Sequence, residues 1–180
     1  MKKIFLLSII LVFFQKPSFG ENLSVFEFTK EELLKLKVKK IKKLTKYSLG
    51  SNEKGNYLRA EANGTASGLG KELKIDLNKT PFINITWKVE KDLLGIDENT
   101  KKGHDYAARI FVIKKTGNTA LSNRAINYVF SSNLDIGSYS TSPFTKKSID
   151  YVLSTTKVNK NEWVTVKTNV KKDFKLLHGL

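Results

Sequence analysis

The sequence predicts an all-β protein, an antiparallel β-sandwich of jelly-roll type with a short N-terminal helix. Three observations carry that expectation. Past Thr45, apolar residues recur at every second position far more often than at every third or fourth, as strands that bury one side require. Turn-forming residues, among them Gly50, Asn78, Pro81, Gly117, Gly137 and Pro143, cut the chain into short segments. Helical signals are confined to two places.

The first of these is Lys30 to Leu36, where Thr29 precedes the run and Glu32 follows three positions later, the arrangement of a capping box. Tyr47 and Leu49 then alternate with polar neighbours, Gly50 to Asn56 turns the chain, and Tyr57 to Ala62 returns it. Leu73, Ile75 and Leu77 alternate in the same way, and so do Ile83, Ile85, Trp87 and Val89. Tyr106 to Ile113 is apolar at nearly every position except Arg109, which reads as a central strand covered on both faces. Asn127 to Phe130, Ile149 to Leu153 and Trp163 to Val170 complete a set of about nine strands. Phe174 to Leu177 reads as a closing turn.

The start of the chain is of another kind. Met1-Lys2-Lys3 is basic, Ile4 to Phe14 is an apolar run, and Ser18 and Gly20 are small, the order of a secretory signal peptide cleaved after Gly20. The run is too short to cross about 30 Å of hydrocarbon as a helix. The expected organisation is therefore a signal peptide over residues 1–20, a lead-in segment over 21–42 and a sandwich domain over 43–180. There is no cysteine, so disulfides, thiol nucleophiles and thiolate metal sites are excluded. Export without disulfides points to a bacterial periplasm or secretion from such a cell.

The formal charge of +15 falls to +12 once Lys2, Lys3 and Lys16 leave with the signal peptide. Only Arg59, Arg109 and Arg124 are arginines. Nucleic-acid readers lean on arginine forks, and no such binding motif is present, so nucleic acid is not an expected partner. The densest cluster, KLKVKKIKKLTK from Lys35 to Lys46, reads as a solvated face beside an apolar side made of Leu36, Val38, Ile41 and Leu44. The expected partner is an envelope polysaccharide, with membrane contact only through the signal peptide before cleavage.

Catalytic motifs are scarce. SGLGKE, Ser67 to Glu72, lacks the glycine spacing and hydroxyl of a phosphate loop and reads as a turn. No G-x-S-x-G elbow occurs. His104 and His178 are the only imidazoles, too few to suggest zinc, and both read as surface residues. Asp97, Glu98, Asn99 and Asp105 crowd a loop of the kind that holds calcium, but their spacing matches no EF-hand. No metal and no cofactor are expected. Along an extended strand Asp105 and Arg109 would stand about 13 Å apart, too far to pair. The buried arginine then looks for Glu61, Asp76 or Glu90.

TKYSL, LRAEANGTASGL, FINITWKVEKDLLGIDENTKKGHDYAARIFVI, ALSNRAINYVFSS and EWVTVKTNVKKDF occur in that order between Lys43 and Phe174. Together they resemble an exported bacterial family known as domain of unknown function 3047. The resemblance implies a periplasmic or secreted β-sandwich with no assigned reaction. Tyr128-Val129-Phe130 stands where the family pattern is Y-V-W, which keeps an aromatic and loses an indole donor. The pattern also runs past W-V-x-V-x-x-N-V-x-x-D-F into an aspartate-rich loop and closing strands, so the resemblance implies a shortened C-terminus with an open sheet edge.

The functional expectation is a binding module that holds a carbohydrate or other envelope ligand, with Trp87, Asp105, Arg109, Asn127 and Tyr128 as the binding residues. Aromatic faces stack on sugar rings, and charged or amide side chains bond their hydroxyls. Two alternatives stay open. One is a glycoside hydrolase or lyase with a carboxylate pair drawn from Glu61, Glu90, Asp105 and Asp150; the other is a structural envelope protein without a small ligand.

Overall fold

The computed structural model describes residues 23–180. The signal-peptide segment and its cleavage point lie outside the described residues. The described chain forms two compact units, divided between Ile75 and Asp76. Strands dominate both, in several separate sheets.

In the first unit, helix α1 (Lys30–Lys35) is capped as its sequence requires: Thr29 Oγ1 accepts from the Glu32 N–H at 3.1 Å. The Glu32 carboxylate in turn accepts the N–H groups of Glu27 and Phe28, each at 2.8 Å. Lys71 Nζ sits 2.5 Å from the same carboxylate and is the main cause that holds its pKa below the ordinary glutamate value. Strand β1 (Lys37–Lys40) pairs antiparallel with β4 (Ser67–Gly70), so SGLG is a strand rather than a turn. This pairing joins the lead-in segment to the hairpin of β2 (Lys46–Asn52) and β3 (Gly55–Glu61) within one unit. Gly55, at φ 118°, takes the backbone conformation that the turn after Asn52 demands.

Leu73 and Ile75 are exposed and residues 71–76 carry no regular structure, against the strand expected there. With no neighbouring backbone to pair with, alternation alone does not make a strand.

The second unit has two β-layers and two helices. Strand β5 (Phe82–Trp87) pairs antiparallel with β10 (Val164–Asn169). Strands β6 (Ala108–Lys114), β7 (Arg124–Ser131), β8 (Tyr139–Thr141) and β9 (Ser148–Thr155) form a sheet in the order β6-β7-β9-β8. Its centre, β7 beside β9, is parallel, which corrects the wholly antiparallel expectation. The chain between these two strands makes the edge strand β8 before turning back, so β9 enters beside β7 in the same direction.

A second correction concerns β6, which lies at the sheet edge with Phe111 and Ile113 exposed. The covered strand is β7, buried at six consecutive positions from Ile126 to Ser131. Its Asn127 and Ser131 lower its apparent hydropathy, while β6 is apolar and still open to solvent. A short helix, α2 (Thr156–Asn159), follows β9. The closing turn expected at Phe174 to Leu177 is part of helix α3 (Val170–His178), capped by Asn169 at one end and by Gly179 at φ 69° at the other.

Alternation along β7 divides the core. Ile126, Tyr128 and Phe130 face β5 and α3 and pack with Ile85, Trp87, Val89, Val170 and Phe174. On the opposite face Val129 packs with Val152, Tyr106 and Leu134. Among the described residues no helix is long and apolar enough to cross a membrane.

Candidate functional site

The second face of the four-stranded sheet is covered by the segment between β5 and β6, residues 88–107. Polar anchors hold this segment. The Glu98 carboxylate is buried and accepts from Ser131 Oγ and, at 2.8 Å, from the Ser132 N–H. Leu93 N donates to Ser132 Oγ at 2.8 Å, and Asn133 Nδ2 donates to Leu93 O at 3.1 Å. Glu98 thus ties the loop to the end of β7 instead of joining Asp97, Asn99 and Asp105 around an ion. At Gly103 the backbone passes so close to the Asp97 carbonyl that a Cβ would collide with it. This tight passage turns the next residue inward.

That residue is His104, whose side chain is 6% exposed, a correction to the surface placement expected of it. Its Nε2 donates to Asp150 Oδ2 at 2.7 Å. Tyr106 and Phe144 set their rings roughly at right angles to the imidazole, at 5.5 and 5.4 Å between centroids. Asp150 belongs to β9 and Asn127 to β7, and the parallel register makes them direct neighbours. Asn127 Nδ2 therefore donates to Asp150 Oδ1 at 2.6 Å and to Ser148 Oγ at 3.0 Å. The result is one buried carboxylate gripped on each oxygen by a donor from a different element. Asn127 Oδ1 and the Tyr106 hydroxyl are buried with no protein partner. Burial, followed by the nearby charges of Asp150 and Glu98, pushes the Tyr106 phenol well above its ordinary pKa.

Asp150 also forms a wall of a crevice of about 200 Å³, lined with it by Asn99, Leu134, Ser138, Tyr139, Ser140 and Val152. Tyr139, on the edge strand β8, is 58% exposed and meets Tyr151 edge to face at 6.4 Å. The crevice thus offers an amide, two serines and one carboxylate fixed in orientation, while the Tyr139 ring, opposite Tyr151 in the register, lies on the other face of the sheet. Among the described residues no group of three or more histidine, aspartate or glutamate side chains is placed to hold a metal.

The five residues singled out by sequence separate into three places. Asn127 joins the cluster above. Arg109 and Asp105 do meet, at 3.7 Å, because Asp105 lies in the loop before β6, where the chain bends back instead of running extended. Arg109 lies over the Tyr106 ring at 5.0 Å and donates to His104 O at 3.4 Å, so it braces the loop that delivers the histidine. Glu61, once a candidate for Arg109, pairs with Lys46 and Arg59.

Trp87 and Tyr128 lie in the core on the other face and offer no ring to a ligand. Trp87 Nε1 donates to Ser154 Oγ at 2.9 Å, and the Tyr128 hydroxyl donates to Asp173 Oδ2 at 2.7 Å. His178 is half-buried too, donating from Nε2 to the Ala125 carbonyl at 2.9 Å and stacking on Phe174.

Sequence reasoning passed over His104 as a site residue and weighed Asp150 only as one acid among four. The signal available was Asp150 itself, an acid inside the apolar string SIDYVL, where burial demands donors from elsewhere.

No curated protein and no solved structure matches this chain. A family model does match, over residues 31–180, and on that match the chain belongs to the family described as Protein of unknown function (DUF3047).

Proposed function

We propose that this protein is an exported ligand-binding module of the cell envelope, and that the crevice at Asp150 binds a polyhydroxylated ligand of the carbohydrate class. The observation that carries the reading is the Asp150 carboxylate, pinned by His104 and Asn127 at the wall of a crevice that Ser138 and Ser140 also line. A carboxylate already fixed in orientation accepts ligand hydroxyls without losing further side-chain freedom. Ser138, Ser140 and Asn99 add short polar groups that bond further hydroxyls.

A small sandwich of jelly-roll type is the fold reading that goes with this proposal, supported by the β5–β10 pair packing on one face of the four-stranded sheet. Export is supported by the basic, apolar and small-residue order of the first twenty residues and by the lack of cysteine.

Screening on a glycan array, followed by calorimetry with the saccharides that bind, tests the proposal. Binding in the micromolar to millimolar range is expected, weakened about tenfold in Asn99→Ala through loss of a hydrogen bond to the ligand. Failure of every saccharide to bind at millimolar concentration would sink it, as would unchanged affinity in that variant.

Asp150 also motivates a second reading, hydrolysis or elimination at a glycosidic bond. The crevice lining holds one carboxylate where the usual hydrolytic mechanism needs two. Release of reducing ends by the wild type, abolished in Asp150→Asn, would decide in favour of the enzyme.

A further inference from the structure

We infer that the lysine-rich segment from Leu34 to Lys46 is a docking surface for the anionic lipid headgroups of a membrane. The segment belongs to the first unit, the crevice at Asp150 to the second. It holds seven lysines, and the chain carries no acid from Leu33 to Asn52. Among the described residues Lys39, Lys40, Lys42 and Lys43 form no ion pair, and all four side chains are exposed. A lysine-rich face is ordinarily the solvated side of an element whose apolar side is packed. Here, of the apolar residues in the segment, Leu36 alone is buried. Leu34, Val38, Ile41 and Leu44 are 80%, 59%, 72% and 60% exposed, so the apolar side expected to lie against a core is in water.

The backbone is held in that state by hydrogen bonds. Strand β1 pairs with β4 so that Lys37 stands opposite Gly70 and Lys39 opposite Gly68, positions without side chains, and Lys37 reaches past its partner to Glu72 at 3.5 Å. The Ala66 carbonyl accepts the N–H groups of both Ile41 and Lys42, at 2.9 and 3.0 Å, and fixes the bend that follows β1. Ile41 is thus presented outward from a fixed backbone.

The mixture of groups selects the partner. A soluble polyanion satisfies lysines alone, and an apolar protein surface satisfies the isoleucine and leucines while leaving the charges unpaired. A bilayer rich in anionic lipid takes both, with lysines among the phosphates and apolar side chains at the acyl boundary.

The test uses the full chain with vesicles of phosphatidylglycerol and phosphatidylethanolamine, with phosphatidylcholine vesicles and soluble dextran sulfate in parallel. Because the chain has no cysteine, Leu44→Cys accepts a single environment-sensitive dye, and Val158→Cys, exposed in the second unit, carries the same dye as control. The apolar start of the chain is common to every variant, so the local dye decides, together with co-sedimentation.

A blue shift at position 44 with anionic vesicles is expected, absent at position 158 and weakened by added salt. Replacing Lys39, Lys40, Lys42 and Lys43 by glutamine should lower partitioning at least a hundredfold, at about fivefold per lysine. Val38→Ser with Ile41→Ser, which leaves the charges in place, should lower it about tenfold. The inference fails if the dye at position 44 stays unshifted with anionic vesicles, or if phosphatidylcholine shifts it equally. It also fails if the glutamine variant binds like the wild type, or if the serine variant keeps full affinity and dextran sulfate shifts the dye as far as vesicles do. The last pair of results would assign the segment to a polyanion.

Discussion

His104 and Asp150 are 46 positions apart in the chain and meet at 2.7 Å. Such a pairing answers a need that a single residue already announces: an acid inside an apolar strand must find donors, because an ionised carboxylate left alone in the interior costs several kcal/mol. Tyr128 poses the same problem in a neutral form and solves it with Asp173, which also accepts from Thr168 Oγ1 at 2.6 Å. Burial first, and the bond to Asp173 second, hold the Tyr128 phenol far above its ordinary value of 10.0, and burial raises Tyr106 as well. A raised folded-state value contributes stability that is complete below the unfolded tyrosine value and is lost as pH rises past it. Unfolding free energy measured in denaturant should therefore fall above about pH 10, by about 1.4 kcal/mol per pH unit for each buried phenol. In Tyr128→Phe that decline should be shallower by one phenol, and absorbance at 295 nm should show Tyr128 and Tyr106 ionising only on unfolding.

At the scale of elements, strand β6 and strand β7 exchange the roles their compositions suggest. Residues 108–114 look like an interior strand and form an edge; residues 124–131 include asparagine and serine and form the most deeply covered strand of the sheet. Mutation should expose the difference. Ile113→Lys, on the exposed side of the edge, should change stability by less than about 0.5 kcal/mol and reduce self-association, since a charge blunts an open edge. Ile126→Ala, at a fully buried position of β7, should cost about 3 kcal/mol. Urea denaturation of the two variants gives the comparison, and equal costs would contradict the observed strand order. Helix α1 behaves otherwise: Thr29 and Glu32 lie three positions apart in the sequence and meet in the structure as that spacing requires. Caps are local, so sequence reads them well; strand order is not.

For the molecule as a whole, the two compact units meet in the chain at Ile75 and Asp76. Residues 71–76 carry no regular structure, and Lys74 is exposed among them. Limited trypsin digestion should cut first in this stretch, at Lys71 or Lys74, and leave a C-terminal fragment in which Trp87 keeps the emission of a buried indole. Early cuts within residues 124–155 instead would contradict the compactness of the second unit.

The sequence by itself determined the β-rich class, the capped helix α1, the family and the small set of polar residues in apolar surroundings that needed explaining. Those features depend on neighbours a few residues away, or on composition. Only the tertiary structure decided that β7 is covered and β6 is not, that Trp87 and Tyr128 face a core, and that His104 points inward at Asp150. Burial is a property of what arrives from elsewhere in the chain: Asn127 and Asp150 are tolerated inside because parallel pairing sets them side by side and the loop at Gly103 brings an imidazole over them.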